Sequence, residues 1–359
     1  MRSFRNLLSG IFARTVSSVI PVKSLRKSVR ASLSKTKKGH THSPYMINDH
    51  YGKIYYPHYS KAAWQDPSAY EIYNKDGTPL KTFFLRDVNH SNCPCNHRSK
   101  YFIFDRFNFG LDVHFYTHSS MLETMGAPHY RYGMYLEPES LVPDDYKIFD
   151  NNKGLEKDFD LIFTFTERFL EKFDNARFFS PCAHYWYEPS EGNLTIEDII
   201  AAKTKNVSIV SSEKTMCDLH KFRLDLARKC RAYGLADAFG TFDGGNYIAI
   251  EDTLKNYRFS VAIENNIEPF WFTEKILNCF ASMTIPIYLG ATKIDKFFNP
   301  DGIIKIDTHS DIEKILKNCT AEEYLSRLEA VKDNYNRVLA YKNPLDTLYQ
   351  QYIKPDIEA

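Results

Sequence analysis

Hydrophobic positions in the C-terminal half of the chain form short continuous runs that alternate with helix-like stripes. The apolar runs lie at 207–210, 259–263, 285–289 and 303–306. Buried parallel strands read as continuous apolar runs, whereas their connecting helices repeat apolar residues every three or four positions. This alternation predicts a parallel Rossmann-like sheet, and ligands of such sheets bind at the carboxyl ends of the strands.

The N-terminal half is rich in aromatic residues, and runs near 101–104 and 160–166 predict strands. In the second run, apolar residues alternate with other residues from Phe159 to Phe165, the pattern of a strand with one packed face. Near residues 321–352, apolar residues at helical spacing predict terminal helices that pack back on the core.

These patterns predict three segments. Residues 1–44 are a basic amphipathic or disordered tail, 45–190 an N-terminal α/β domain, and 191–359 a C-terminal Rossmann-like domain with terminal helices. At 359 residues and 43% hydrophobic composition, the chain is large enough for two apolar cores.

Polar residues with binding chemistry follow the strand predicted at 259–263. Glu264 and Asn265 come directly after it, and Thr273 is a plausible N-cap for a helix that opens with Glu274 and Lys275. A lysine in the first turn opposes the helix dipole, and a bound phosphate would explain it. Glu274 could then accept hydrogen bonds from ribose hydroxyls. The alternative is a solvated lysine with no ligand.

The blocks at 257–259, 263–265, 271–275, 286–290 and 298–300 resemble, in order and spacing, the signature of the glycosyltransferase family 10 fucosyltransferases. This resemblance implies a GDP-sugar site. The donor contacts it implies come from Glu264, Asn265, Trp271, Glu274 and Lys275. Trp271 stands where the family usually has tyrosine, so the contact would lose a hydroxyl and the sugar preference could differ.

Two further segments resemble the family more faintly. The segment 220–226 resembles the helix whose arginine neutralises the donor diphosphate, which implies that role for Arg223. The segment 136–140 resembles a loop whose second glutamate is the general base, which implies that role for Glu139, although Leu141 replaces the usual proline. The alternatives are an arginine that lies over apolar surface and an ordinary loop carboxylate.

The resemblance implies a GT-B architecture, with two Rossmann-like domains that face a cleft. It implies an inverting hexosyltransferase that moves fucose from GDP-fucose to a hydroxyl of a glycan acceptor, such as a surface polysaccharide or lipopolysaccharide. We expect no cofactor and no metal, because the acids of the one Asp-x-Asp match, Asp158 and Asp160, are expected to cap a strand or face solvent. The alternatives are another nucleotide sugar as donor, or a non-catalytic nucleotide- or glycan-binding protein.

The first 48 residues hold ten of the 46 Lys and Arg residues and none of the 45 Asp and Glu residues, so 36 basic and 45 acidic residues remain elsewhere. Basic residues interleaved with apolar ones suit an anionic membrane surface. We therefore expect a cytoplasmic enzyme, peripheral to the inner face of a bacterial membrane, with no nucleic-acid partner. A mitochondrial presequence and a disordered tail are the alternatives.

Seven cysteines scattered along the chain do not suggest a disulfide framework. His90, Cys93, Cys95 and His97 are potential zinc ligands, but they lie too close in sequence to surround one ion easily, so a polar loop is the default. The acceptor, the linkage and the oligomeric state stay open.

Overall fold

The structure is a computed structural model, and it describes residues 80–87, 99–105, 110–123, 125, 128–190, 192 and 194–358. The chain divides into two compact units. The first is Met1–Pro181 with Asn343–Ala359, and the second is Cys182–Lys342. Each has its own parallel sheet and apolar core. The expectation of an α/β chain with two Rossmann-like units is confirmed, while the expected GT-B arrangement around a cleft stays a prediction.

Six strands form the sheet of the first unit in the order β2-β1-β3-β4-β5-β6, and every described pairing is parallel. The strands are β1 (Lys81–Arg86), β2 (Phe102–Asp105), β3 (Val113–Thr117), β4 (Tyr130–Met134), β5 (Leu161–Thr164) and β6 (Ala176–Phe178). The helices before residue 181 are α1 (Pro143–Tyr146), α2 (Ile148–Asn151) and α3 (Glu167–Lys172), with 3-10 turns at His118–Leu122 and Leu155–Asp158.

The prediction that the strand near 160–166 has one packed face is wrong. Ile162 and Thr164 are as completely buried as Phe163. β5 pairs on both sides with parallel neighbours, and such strands are covered on both faces of the sheet.

The second unit has five parallel strands in the order β11-β10-β9-β7-β8. They are β7 (Lys205–Val210), β8 (Asp237–Phe239), β9 (Tyr257–Ile263), β10 (Ile285–Leu289) and β11 (Ile304–Lys305). The helices are α4 (Ile196–Ala201), α5 (Asp218–Tyr233), α6 (Ile250–Leu254), α7 (Glu274–Ala281), α8 (Ile312–Lys317), α9 (Ala321–Ser326) and α10 (Leu328–Val338). Short 3-10 turns lie at Phe242–Gly244, Ile294–Lys296, Pro300–Gly302 and Leu339–Tyr341. All four strands predicted in this half are present.

The segment β9-α7-β10 positions the polar groups of the predicted site. α7 begins at its predicted N-cap, where the Thr273 side chain accepts a hydrogen bond from the Lys275 N–H. The apolar side of α7 is buried through Ile276 and Phe280. β10 then returns beside β9, and Gly290 follows it where any Cβ would collide with the Glu264 side chain. The missing side chain therefore makes room for a buried carboxylate.

The C-terminal helices divide between the two units at residue 342. Tyr324 of α9 and Val331 of α10 join the core of the second unit, as predicted, but Leu339 is 52% exposed. Beyond residue 342, α11 (Pro344–Leu348), a π-helical turn (Tyr349–Ile353) and α12 (Lys354–Ile357) follow. Leu345, Leu348 and Ile353 belong to the apolar core of the first unit, although the sequence assigned them to the C-terminal domain. No helix in the described residues has the length and apolar composition that a bilayer crossing requires.

Candidate functional site

A cavity of about 270 Å³ opens at the carboxyl edge of the second unit's sheet. Its lining includes Ser211 after β7, Arg223 of α5, Gly240 after β8, and Glu274 and Lys275 of α7. Gly240 has φ +111°, and a Cβ there would collide with the carbonyl oxygen of Ser211, so this turn requires glycine. Three of the predicted site residues therefore meet in one cavity.

Glu264 lies behind this cavity and is completely buried. Its carboxylate accepts the Thr273 N–H at 2.9 Å and the Thr273 hydroxyl at 2.7 Å. Burial raises the pKa of the Glu264 carboxyl, and the nearby Lys275 opposes that shift. Glu264 therefore holds the start of α7 in place, and it has no exposed surface for a ligand.

The ammonium of Lys275 already has three acceptors. They are the Thr273 hydroxyl at 3.0 Å, a Glu274 carboxylate oxygen at 3.0 Å and a Glu264 carboxylate oxygen at 3.3 Å. Burial alone would lower the pKa of Lys275, but Glu274 and Glu264 outweigh it and raise that pKa above its usual value. Lys275 is therefore a paired lysine that is only 27% exposed, and its contact with a phosphate stays a prediction.

The Arg223 side chain is buried, with 8% exposure. One guanidinium nitrogen, Nη1, donates to the carbonyl oxygen of Ile263 at 2.8 Å. Within the described residues, its Nε has no hydrogen-bond partner. Burial lowers the pKa of this guanidinium, but arginine remains charged because its usual pKa is far above neutral.

The cluster contains two carboxyl groups and two cations before any ligand binds. The carboxylates of Glu264 and Glu274 oppose the cations of Lys275 and Arg223, and all four lie within electrostatic range of one another. An incoming diphosphate would meet the cation of Arg223, which lines the cavity, and the N-terminus of α7, an arrangement suited to anions. Lys275 could bind the diphosphate only by releasing Glu274. Burial alone would raise the pKa of the Glu274 carboxyl, but Lys275 outweighs that effect and lowers it.

Trp271 and Asn265 contact each other. The Trp271 side chain is 1% exposed, and its indole N–H donates to the Asn265 side-chain oxygen at 2.8 Å. Neither residue lines the cavity in this conformation. A direct contact of Trp271 with the donor stays a prediction, and its visible role is to hold the loop between β9 and α7.

Sequence reasoning missed three residues that line the same cavity. Trp186 is 53% exposed and Tyr247 is 87% exposed, whereas Asn278 of α7 is buried. The Asn278 side-chain oxygen accepts the N–H groups of Trp186 at 2.6 Å and Tyr187 at 2.9 Å. Trp186 precedes the predicted domain boundary, so no local pattern connects it with α7.

In the first unit, Glu139 follows β4 in the loop that reaches α1. Its carboxylate forms an ion pair with Arg168 of α3 at 2.9 Å, and both side chains are more than 40% exposed. Arg168 also lies over the ring of Phe169, 4.8 Å from its centroid. Glu139 is thus held at the surface of this loop, and its role as general base stays a prediction.

A buried histidine holds the backbone of this loop. His118, just after β3, accepts the N–H groups of Leu136 at 3.0 Å and Glu137 at 3.2 Å through Nε2. Its Nδ1 lies 3.2 Å from a carboxylate oxygen of Asp145. Two donors on Nε2 place the ring proton on Nδ1, facing Asp145. His118 also has φ +47°, a strained conformation for a residue that is not glycine.

The expectation that Asp158 and Asp160 face solvent is wrong, whereas Asp160 does bond a backbone N–H at the start of β4. Both are at most 5% exposed. Asp160 accepts the Arg131 N–H at 2.8 Å, and a carboxylate oxygen of Asp158 lies 3.9 Å from the Arg131 guanidinium. Within the described residues, no group of three or more His, Cys, Asp or Glu side chains could hold a metal ion. The tail at 1–44 and the His90–His97 motif lie outside the described residues.

A second cavity, of about 570 Å³, lies at the amino edge of the first unit's sheet. Its lining includes Lys153, Lys157 and Phe173. None of the residues predicted for the site lines it, so its greater size does not make it the better candidate.

Residues 200–355 match the sequence profile of the family described as "Glycosyltransferase family 10 (fucosyltransferase) C-term". The chain is 33% identical over 95 residues to "Alpha-(1,3)-fucosyltransferase FucT" of Helicobacter pylori, a match that covers 26% of this chain and 18% of that relative. It is 27% identical over 172 residues to "3-galactosyl-N-acetylglucosaminide 4-alpha-L-fucosyltransferase FUT3" of Pan troglodytes, which covers 45% and 42%. The matched stretches span less than half of either relative.

Among solved structures, "Crystal Structure of alpha1,3-Fucosyltransferase with GDP" aligns with 79% of this chain and 94% of its own, at 14% identity and a TM-score of 0.43. A sucrose-phosphate synthase from Thermosynechococcus elongatus aligns with 70% of this chain and 75% of its own, at 13% identity and a TM-score of 0.41. These similarities are too weak to add to the family match. Arg223, Glu274 and Lys275 lie inside the matched residues, whereas Glu139 and Trp186 lie outside them.

Proposed function

We propose that the protein is an inverting glycosyltransferase that uses GDP-fucose, because residues 200–355 match the profile of the C-terminal domain of glycosyltransferase family 10. The acceptor is a hydroxyl of a glycan, such as a surface polysaccharide or lipopolysaccharide. The observation that carries the proposal is the cavity where Arg223, Lys275 and the start of α7 converge.

Departure of a nucleoside diphosphate leaves negative charge on the terminal phosphate, and positioned cations and N–H groups stabilise that charge. The guanidinium of Arg223, which lines the cavity, is one such cation. In the proposed step, the Lys275 ammonium exchanges Glu274 for a phosphate oxygen and keeps its contact with the buried Glu264. Glu274, freed from Lys275, can then accept a ribose hydroxyl.

Deprotonation of the acceptor hydroxyl requires a base, and Glu139 is the proposed one. It is an exposed carboxylate at the carboxyl edge of the first unit's sheet, paired with Arg168. The base would take the hydroxyl proton as the oxygen attacks the anomeric carbon, the bond to the diphosphate breaks, and the configuration inverts.

We further propose that the reaction requires no divalent metal and no other cofactor, with the cations of Arg223 and Lys275 taking that role. We also propose that the protein works in the cytoplasm, at the inner face of the membrane, with residues 1–44 as the contact. Outside that tail, acidic residues outnumber basic ones. This supports residues 1–44 as the part of the chain that contacts the membrane.

The test is GDP release from GDP-fucose by the purified full chain with and without a galactosylated glycan acceptor, against GDP-mannose and UDP-galactose. Acceptor-dependent release from GDP-fucose alone is expected. Arg223→Gln is the matched variant, expected to weaken GDP binding about 10- to 150-fold, the equivalent of ~1.5–3 kcal/mol for a hydrogen bond to a charged group.

Lys275→Ala is a poorer probe, because it would leave the buried Glu264 without its cation and destabilise the fold. Release from UDP-galactose instead of GDP-fucose would show a different donor. Tight GDP binding without turnover on any acceptor would favour the non-catalytic alternative.

A further inference from the structure

Trp186 is a large aromatic residue held rigidly with its ring half exposed. Its backbone N–H is bound by the buried Asn278 of α7 at 2.6 Å. Its indole N–H donates to Nε2 of the buried His184 at 2.6 Å. Two buried partners thus fix one exposed ring. A ligand that packs on this ring therefore binds with little loss of side-chain conformational entropy.

The position of this ring is set by the same helix that opens the diphosphate site. Asn278 lies one helical turn after Lys275, and both line the cavity together with Trp186. The lining also includes the apolar side chains of Ile248 and Leu254 and the ring of Tyr247. The face of an indole ring carries partial negative charge and disfavours phosphate, whereas it favours another flat ring.

We propose that Trp186 is the stacking wall for the guanine base of the donor. This rests on the proposed use of a GDP-sugar. The diphosphate binds beside Arg223 and Lys275, and the base packs against the Trp186 ring. Trp186 lies outside the family match, so the assignment comes from the geometry alone.

The chain has only three tryptophans, which makes fluorescence a direct measurement. Trp271 is buried and Trp64 lies outside the described residues, so Trp64→Phe serves as the background. In that background GDP and GMP should quench tryptophan emission saturably. Pyrophosphate should not quench it, although it should compete with GDP. Adding Trp186→Phe should abolish the quenching.

Calorimetry provides the second measurement. Base–aromatic stacking has a typical value of ~1–3 kcal/mol by alanine substitution, so Trp186→Ala should raise the Kd for GDP about 5- to 150-fold. Trp186→Phe should stay within about fivefold, and the Kd for pyrophosphate should not change. Tyr233→Ala, which removes a 75% exposed ring that does not line the cavity, is the matched control.

Three results would overturn the proposal. Quenching by GDP-fucose but not by GDP would place the ring against the sugar. Wild-type GDP affinity in a folded Trp186→Ala variant would remove Trp186 from the nucleotide site while leaving the proposed function intact. Absence of GDP binding by the wild-type chain would overturn both proposals.

Discussion

Glu139 offers the sharpest test at the scale of single residues, because the ion pair to Arg168 at 2.9 Å holds it without burying it. Glu139→Gln keeps the shape and removes the base. Turnover should fall about 10²- to 10⁴-fold, the usual loss for a general base, with the Kd for GDP-fucose unchanged. Single-turnover kinetics and calorimetry measure the two quantities. If turnover stays at the wild-type rate, Glu139 is not the base, and Glu137→Gln is the next variant.

Lys203 predicts a pH dependence of stability. It is 3% exposed, and its ammonium donates to the Leu254 carbonyl at 2.8 Å and the Thr284 hydroxyl at 2.9 Å. Burial lowers its pKa from 10.5 to about 7. Between these values the unfolded chain binds a proton that the folded chain does not, so the free energy of unfolding rises with pH. This contribution is fully present above pH 10.5 and is lost as pH falls through 7.

Urea unfolding between pH 7.5 and 9.5 measures that slope. Tyrosines and cysteines with raised pKa values also titrate at alkaline pH, so only the difference between variants isolates Lys203. Lys203→Met should reduce the rise with pH, whereas Lys229→Met removes an exposed lysine of α5 and is the control. Equal slopes for wild type and Lys203→Met would contradict the assignment.

At the scale of elements, the ends of β3 and β4 act together through His118. Nε2 of His118 accepts hydrogen bonds from two backbone N–H groups of the loop that leads to Glu139. His118→Leu should lower the turnover number at least tenfold by releasing the loop, with little change in GDP affinity, since GDP is proposed to bind to the other unit. His118→Gln keeps an acceptor of similar reach and should recover part of the turnover number.

A merely structural role for His118 would lower the melting temperature of both variants and leave the turnover of the folded fraction alone. Stopped-flow turnover, normalised to folded protein by circular dichroism, separates these cases. Equal turnover numbers for the leucine and glutamine variants would exclude a positioning role.

Sequence periodicity predicted the elements whose own apolar pattern is enough to show that they are buried. β10 occurs at the predicted residues, and Thr273 caps α7 as its position before the apolar stripe indicates. What periodicity could not supply were contacts between distant residues. Arg223 is buried because its guanidinium reaches the Ile263 carbonyl 40 positions away. Trp186 reaches α7 through Asn278, 92 positions away.

The helical end shows the same limit. An apolar stripe predicts that a helix is buried but does not say against which core. Leu345 and Leu348 therefore suit either unit by pattern, and only the tertiary structure places them in the first. For Glu264, a carboxylate after a strand suggested a ligand contact, whereas its two bonds from Thr273 make it an internal support.

At the scale of the whole molecule, the separation of charge along the chain predicts membrane binding through residues 1–44. Ten basic and no acidic residues precede position 49, whereas the remainder is acidic. The full chain should sediment with vesicles that contain phosphatidylglycerol at low salt, and binding should weaken as salt screens the charges. A chain that begins at residue 45 should stay in solution and keep its turnover. Equal sedimentation of both chains would place the membrane contact elsewhere.

Metal dependence tests whether the protein's own cations suffice for the departing diphosphate. The donor site pairs two carboxyl groups with two cations, so a bound diphosphate brings further negative charge that Arg223, Lys275 freed from Glu274, and the N-terminus of α7 would have to offset. We expect turnover to survive exhaustive EDTA treatment, and added magnesium not to restore Arg223→Gln to the wild-type rate. If EDTA abolishes turnover and manganese restores it, the charge assignment is wrong. The ion would then need ligands other than Asp158 and Asp160, because both are buried beside Arg131.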